Sequence, residues 1–265
     1  DNRTVRNRTY NLLLRLKDIT VPALRFKLQS LGDANIFPRN AEDGPLTDEA
    51  WYIMRNIIDL MAELDAFDTL DTLKKIVADP DPRVRRECIA ALAKHHNRHT
   101  HQIALDLLED PNEEVREKAI LALGSPHSRE AAPKLIDLFF AHPVHRETIL
   151  LSLSKIGGDE VRDFLVNAVR PKSAAMKRIF TGDIQIQAIK ALGRIGDGDT
   201  EEKLRSFVRF QQNPFIRMYR LARRRHKRGR ELLHAATQSL AQMEQRARMN
   251  AAQPSSEPPR VAAIR

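Results

Sequence analysis

A single cysteine, Cys88, stands in a chain of 265 residues. One thiol cannot close an internal disulfide, so no disulfide framework holds this fold, and a reducing compartment, the cytoplasm, is the expected location. Aromatic residues make up only 5% of the chain, with one Trp, which suits thin Ala- and Leu-rich helices packed closely over many neighbours. No apolar run approaches the roughly 20 residues needed to span a bilayer, so no transmembrane segment is expected. Also missing are a phosphate-cradling glycine loop, a nucleophile elbow and a Walker-type lysine. The chain opens at Asp1 with neither an initiator Met nor an apolar signal region, and is expected to be a fragment or a processed form.

What is present is a repeat. DPRVRRECIAALA in residues 81–93 and NEEVREKAILALG in residues 112–124 are the same pattern at an offset of 31 residues. Val84 maps on Val115, Arg85 on Arg116, Cys88 on Ala119, Ala91 on Ala122 and Leu92 on Leu123, and the apolar members share one helical face. Sliding the template places further copies on Ile53, Ile57 and Met61, on Leu153, and on Leu192 and Gly193, five in all. Ahead of each lies a second apolar helix, expected over residues 21–31, 70–78, 102–108, 131–140 and 160–169. Pro80 and Pro111 precede repeated helices, while Gly124, Gly157 and Gly196 follow them, as capping chemistry requires. A period of this length marks a stacked array in which no unit buries its own apolar face.

Val115-Arg116 with residues 119–124, AIKALGRIGD in residues 188–197 and WYIMRN in residues 51–56 resemble the HEAT-repeat family, in particular its short bacterial repeats of the PBS-lyase type. The resemblance covers residues 19–210 and weakens in the fourth copy, where the Val-Arg pair is not in register. It implies an all-α fold, an α-solenoid of about five two-helix HEAT-like repeats followed by a C-terminal basic helix. Such arrays serve as scaffolds, carrier receptors and, rarely, enzymes. The expected layout is an N-terminal capping helix in residues 1–18, the array in 19–212, a basic amphipathic helix in 213–249 and a disordered tail in 250–265.

In HEAT-like arrays the second helix of each repeat lines the concave surface, so the resemblance implies contact positions there. These are Tyr52, Arg55, Asp59 and Glu63; Arg83, Arg86, Glu87 and Lys94; Glu114, Glu117, Lys118 and Leu121; Glu147, Leu151 and Lys155; and Gln187, Lys190 and Arg194. Leu121 and Leu151 are expected to form a small exposed apolar step. Arg85 and Arg116 read instead as structural, pairing with Asp79, Asp81 or Asp110. Two long connections, 32–47 and 171–182, interrupt otherwise short turns and are expected on the binding side, bracketing the repeats between them, with Lys172, Lys177 and Arg178 in the second as contact residues.

Residues 201–265 hold 15 Lys+Arg against 5 Asp+Glu, leaving 29 against 30 in residues 1–200. The array is neutral and the tail carries the charge, which lowers a nucleic-acid reading for the array itself. Within the tail, Arg217, Arg220, Arg223, Arg224, Arg225, Lys227, Arg228 and Arg230 form an anion-binding candidate without one acidic residue among them. Leu233, Ala236, Leu240, Met243 and Ala247 follow at helical spacing and need a surface, either as the terminal cap of the array or on another chain. Cutting the chain after Asn213 is expected to leave the array folded.

Enzymatic readings ask for particular residues. Resemblance to HEAT-type deoxyhypusine hydroxylases would need His-Glu pairs to hold iron, and none of the nine His is followed by Glu. The aromatic cleft of HEAT-like alkylpurine DNA glycosylases is poorly served by the lone Trp51. His95, His96, His99 and His101 have metal-like spacing, yet sit in a polar connection without Cys, so no metal and no cofactor is expected. The sequence therefore points to a non-catalytic scaffold that binds a protein partner, possessing no catalytic residues. Nucleic-acid or anionic-surface binding through the basic helix is the alternative, and a lyase-type enzyme the third reading.

Overall fold

The computed structural model describes residues 2–33, 44–66, 70–95, 97, 99–216 and 226–252. Every regular element among them is a helix, and the chain divides into two compact units, Asp1–Phe139 and Phe140–Arg265. The first unit holds α1 (Asn2–Arg15), α2 (Lys17–Asp33), α3 (Asp48–Glu63), α4 (Leu70–Val77) and α5 (Pro82–Lys94). It continues with α6 (Thr100–Asp106), a 3-10 turn (Leu107–Glu109), α7 (Glu113–Ala122) and most of α8 (Ala132–Ala141). Helices α2 and α3, α4 and α5, and α6 and α7 pack as pairs, while α3, α5 and α7 pack side by side in series. This is the two-helix repeat that the periodicity predicts. The first helix of the first pair is longer than expected, beginning at Lys17 and accommodating Pro22.

Four positions spaced i, i+4, i+5 and i+8 carry the core. In α5 they are Val84, Cys88, Ile89 and Leu92, and in α7 with its C-cap they are Val115, Ala119, Ile120 and Leu123, all at 0% exposure. In α3 Ile57, Ile58 and Met61 are buried and Ile53 is half-buried. The helices start on side-chain caps, each worth about 1 kcal/mol. Thr47 accepts from Ala50 N at 3.3 Å, Asp81 from Arg83 N at 2.8 Å, and Asn112 from Glu114 N at 3.0 Å and Val115 N at 3.2 Å. Of the three glycines expected to stop helices, only Gly157 uses a positive φ, 68°.

Arg85 ties successive repeats. Its Nε and Nη2 donate to the two oxygens of Asp110 at 2.7 and 2.9 Å, and its Nη1 donates to the carbonyls of Asp79 and Pro80. Arg116 repeats half of this, donating Nη1 to the carbonyls of Asp110 and Pro111. Its buried Nε has no hydrogen-bond partner, because the residue 31 positions beyond Asp110 is Ala141. The pairing of Arg116 with a carboxylate is thus not what the structure shows.

The second unit holds α9 (Arg146–Ile156), α10 (Asp159–Val169), α11 (Ala174–Ile179), α12 (Gly182–Ile195), α13 (Gly198–Gln212) and α14 (His226–Ala252). Here α9, α12 and α14 pack in series, with α10 against α12 and α13 against α14. The same buried tetrad recurs: His145, Ile149, Leu150 and Leu153 in and just before α9, then Ile184, Ala188, Ile189 and Leu192 in α12. His145 therefore occupies the Val position that looked vacant in the fourth copy, and Arg146 the Arg position. In α14 the tetrad is Ala235, Ser239, Leu240 and Met243, all buried. Thus α13 and α14 form a further pair beyond the copies that the sequence pattern marks. Helix α14 approaches α12 so closely that a Cβ on Gly193 would lie 2.8 Å from Ser239 Cβ, and one on Gly196 2.8 Å from Met243 Cε. The expectation that the chain tolerates removal beyond Asn213 is corrected accordingly, since that cut would strip the apolar cover from α12 and α13.

Candidate interaction surfaces

In the first unit the outward positions of α3, α5 and α7 form a charged surface that is largely self-paired. Lys94 Nζ lies 3.0 Å from Asp59 Oδ1, His95 Nε2 lies 3.1 Å from the same oxygen, and Arg86 pairs with Glu114. Tyr10 from α1 places its hydroxyl 2.9 Å from Asp59 Oδ2 and against Glu63. Burial, and then its hydrogen bonds to the Glu63 and Asp59 carboxylates, pushes the Tyr10 phenol well above its ordinary value. Burial works against the charge on Asp59, but hydrogen bonds from Lys94, His95 and Tyr10 outweigh it and hold the carboxyl below its usual range. Burial also pushes Glu87 above its usual range, only partly relieved by Arg55. Arg86 and Lys94, expected as contact residues, are thus engaged between helices. Tyr52 is 54% exposed with the Arg55 guanidinium over its ring, and Lys118 is exposed. Leu121 is half-buried.

In the second unit Leu151, Lys155, Lys190 and Arg194 are exposed. Arg194 reaches Ser154 Oγ at 3.3 Å. The connection 171–182 contains α11, capped by Ser173 and burying none of its own residues, so Lys172, Met176, Lys177 and Arg178 all face solvent. Phe180 anchors it, 3% exposed and edge-on to Phe140 and Phe164 at 6.2 and 6.0 Å between ring centroids. Of the connection 32–47, residues 34–43 lie outside the described residues. Its far end is fixed where Leu46 N donates to Asp81 and Arg83 donates to Leu46 O. Of the basic run, Arg217, Arg220, Arg223, Arg224 and Arg225 also lie outside the described residues, whereas Lys227, Arg228 and Arg230 are exposed on α14.

A groove of about 1290 Å³ opens in this unit between the C-terminal ends of α10 and α13, the connection carrying α11, and the starts of α12 and α14. Phe180, Phe207 and Phe210 supply its apolar lining, and Arg170, Lys172, Lys177, Lys203 and Arg228 its cations. Sequence reasoning singled out Lys172, Lys177 and Arg228 but missed Arg170, Lys203, Phe210 and Gln211. Phe207, Phe210 and Gln211, at i, i+3 and i+4 on one face of α13, were the available signal.

His95 faces Asp59, His101 Nδ1 lies 3.3 Å from Ser128 Oγ, and His96 is outside the described residues. Among the described residues no group of three or more His, Cys, Asp or Glu is placed to hold an ion, and no helix is long and apolar enough to cross a membrane. Cys88 is fully buried, which pushes its thiol up to about 12.

Compared with known families, residues 101–179 match the family model described as HEAT repeats. Residues 101–179 carry HEAT repeats. The matched segment spans α6 to α11, where the tetrads of α7 and α9 fall in register. No curated protein matches the chain. HEAT repeats generally act as protein-interaction scaffolds and are typically non-enzymatic.

Proposed function

We propose that this protein is a non-catalytic interaction scaffold. It binds a protein partner through the outward face of its second helices and through the connections inserted between helices. The observation that carries this reading is the connection 171–182, a capped helix held in place by Phe180 in which every residue from 172 to 178 is exposed. Ordering a segment costs roughly 1–2 kcal/mol per residue, and a connection that is ordered without burying itself supplies a preformed surface. Leu151, Lys155, Lys190 and Arg194 supply contact positions on the second helices of the same unit, and Tyr52, Arg55 and Lys118 supply a separate set in the first unit. The lone, buried Cys88 is the ground for placing the protein in the cytoplasm. Affinity capture with the intact chain, followed by identification of what is retained, tests the proposal. Replacing Lys172, Lys177 and Arg178 by Ser reduces capture while helicity stays unchanged; undiminished capture would rule out this surface.

A second reading rests on residues 217–230, with eight Lys or Arg and no acidic residue. Like charges at helical spacing repel by roughly 0.2–0.5 kcal/mol per pair, a cost that an anionic partner offsets. Replacing Arg223, Arg224 and Arg225 by Gln then lowers the salt-sensitive part of binding to nucleic acid or anionic surfaces; an unchanged salt profile dismisses it.

A further inference from the structure

The groove in the second unit is built from the ends of four helices and the inserted connection, so it is separate from the outward face of the second helices. Its cations come from different elements: Arg170 at the end of α10, Lys172 and Lys177 in the connection, Lys203 on α13 and Arg228 on α14. The one acidic residue lining it is Asp163. Lys203 is answered by Asp199, and Arg228 approaches Asp183 at 3.5 Å, but Lys172 and Lys177 have no carboxylate partner among the described residues. Phe210 lies 46% exposed beside them, with the Arg170 guanidinium 5.9 Å from its ring centroid.

Gln211 is the decisive residue. It is only 5% exposed, lines the groove, and its Oε1 has no hydrogen-bond donor. Buried acceptors are almost always satisfied, and an unsatisfied one weakens the fold that contains it. The oxygen is sealed from solvent in the position shown, so a donor brought by an occupant satisfies it once the side chain turns toward the groove. The occupant must then carry negative charge, an apolar group to cover Phe210, and an N–H or O–H for Gln211. Two features favour a chain segment over a small anion. The volume exceeds the roughly 300–1,000 Å³ usual for small-molecule pockets, and the cations come from four separate elements, whereas a lone phosphate needs donors that converge. An extended peptide supplies backbone N–H donors at every residue and can distribute carboxylates along the rim.

We propose that this groove binds an acidic peptide segment of a partner protein. An aromatic or aliphatic side chain of the segment seats on Phe210, and a backbone N–H donates to Gln211 Oε1. This rests on the scaffold reading and assigns the chemistry of the partner. The test is selection of short randomised peptides displayed on phage against the full chain, followed by titration of the enriched peptide in synthetic form. Enriched peptides should be acidic with one aromatic or aliphatic anchor, and Phe210→Ala should weaken them about tenfold, the equivalent of roughly 1.4 kcal/mol. The exposed double variant Lys172→Ser/Lys177→Ser should weaken them less, and only at low salt. Gln211→Leu should weaken binding several-fold while the melting temperature holds or rises, a combination that a merely structural glutamine does not give. Enrichment without acidic bias, indifference to Phe210→Ala and to the lysine pair, or displacement of the peptide by ATP or inorganic phosphate would each overturn the proposal. If no peptide enriches while capture still depends on Lys172, Lys177 and Arg178, the groove falls and the scaffold reading stands; if that dependence is also absent, both fall.

Discussion

The two units solve one packing problem with different chemistry. In the first, neighbouring repeats are tied by cation–carboxylate pairs: Arg85 to Asp110, Arg86 to Glu114, and Lys94 to Asp59. In the second, the last two of the serially packed helices meet through small residues and bond to backbone. Ser239 Oγ donates to Ile189 O at 3.0 Å, and Arg246 donates to the carbonyls of Arg194 and Gly196. Gly193 and Gly196 make that approach possible. The difference has a consequence for charge. Asp1–Phe139 holds 20 Lys+Arg against 23 Asp+Glu, with several of its cations consumed as ties, whereas Phe140–Arg265 holds 24 against 12. The second unit also has cation–carboxylate ties, Arg162 to Asp197 and Arg205 to Glu244, but with twice as many basic as acidic residues it keeps cations such as Lys172 and Lys177 in excess, which is why it is the better candidate for recognising an acidic partner.

The largest test of this contrast is to end the chain after Asn213. Leu232, Leu240 and Met243 would no longer cover α12 and α13. At about 1.5–3 kcal/mol per buried side chain, the loss is on the order of 5 kcal/mol or more, comparable to the whole stability of a domain. Hydrogen exchange should show α12 and α13 unprotected while α5 and α7 keep their protection. Retained protection in α12 would show that α14 is dispensable.

Next in size is a pair of arginine substitutions within the first unit. Arg85→Met leaves Asp110, 7% exposed, as an uncompensated buried carboxylate, and should cost about 3–5 kcal/mol. Arg116→Met removes bonds to two carbonyls but orphans no charge, so about 1 kcal/mol is expected. Urea melts of the two variants check the ranking; equal costs would mean that the Asp110 pair contributes nothing particular to this unit. Gly193→Ala is the matching test in the second unit. Its new Cβ meets Ser239 Cβ at 2.8 Å, and overpacking of this kind costs about 1–3 kcal/mol. The additional variant Ser239→Gly should recover part of that loss, and failure to do so would place the strain elsewhere.

These tests also mark where the sequence could be read and where it could not. Val84, Cys88, Ile89 and Leu92 recur 31 residues on as Val115, Ala119, Ile120 and Leu123, so both the period and the face were visible without coordinates. The last pair was hidden because its tetrad, Ala235, Ser239, Leu240 and Met243, includes a serine and lies 51 residues beyond that of α12, past a basic run. His145 hid the fourth in a similar way, by placing a histidine where the pattern wants valine. Arg86 and Lys94 looked like contact residues because the positions facing them, Glu114 and Asp59, lie about one repeat away in sequence. The groove was least legible. Arg170, Phe210, Gln211 and Arg228 are ordinary helix residues in isolation, and only tertiary packing brings four helix ends around one space.

The smallest expected effect concerns two carboxylates on the first unit's charged face, whose environments push them in opposite directions. Asp59 is held below its usual range, so its contribution is present above the unfolded value of about 3.9 and is lost as the pH falls through the lower folded value. Asp59→Asn should therefore destabilise near neutral pH by about 0.5–1 kcal/mol, a range set by a partly exposed pair, and should cost progressively less in acid. Glu87 is pushed up by burial, so its ionisation opposes folding once the pH rises past the unfolded value of about 4.3. Glu87→Gln should be neutral in acid and stabilise by a few tenths of a kcal/mol at pH 7, roughly the size of an exposed pair. Stability curves of both variants across pH 3–7 should diverge from the parent with opposite sign as the pH rises. Parallel curves would show that Lys94, His95 and Tyr10 do not hold Asp59 in its charged form, and that the polar ties around Asp59 are solvated surface charge.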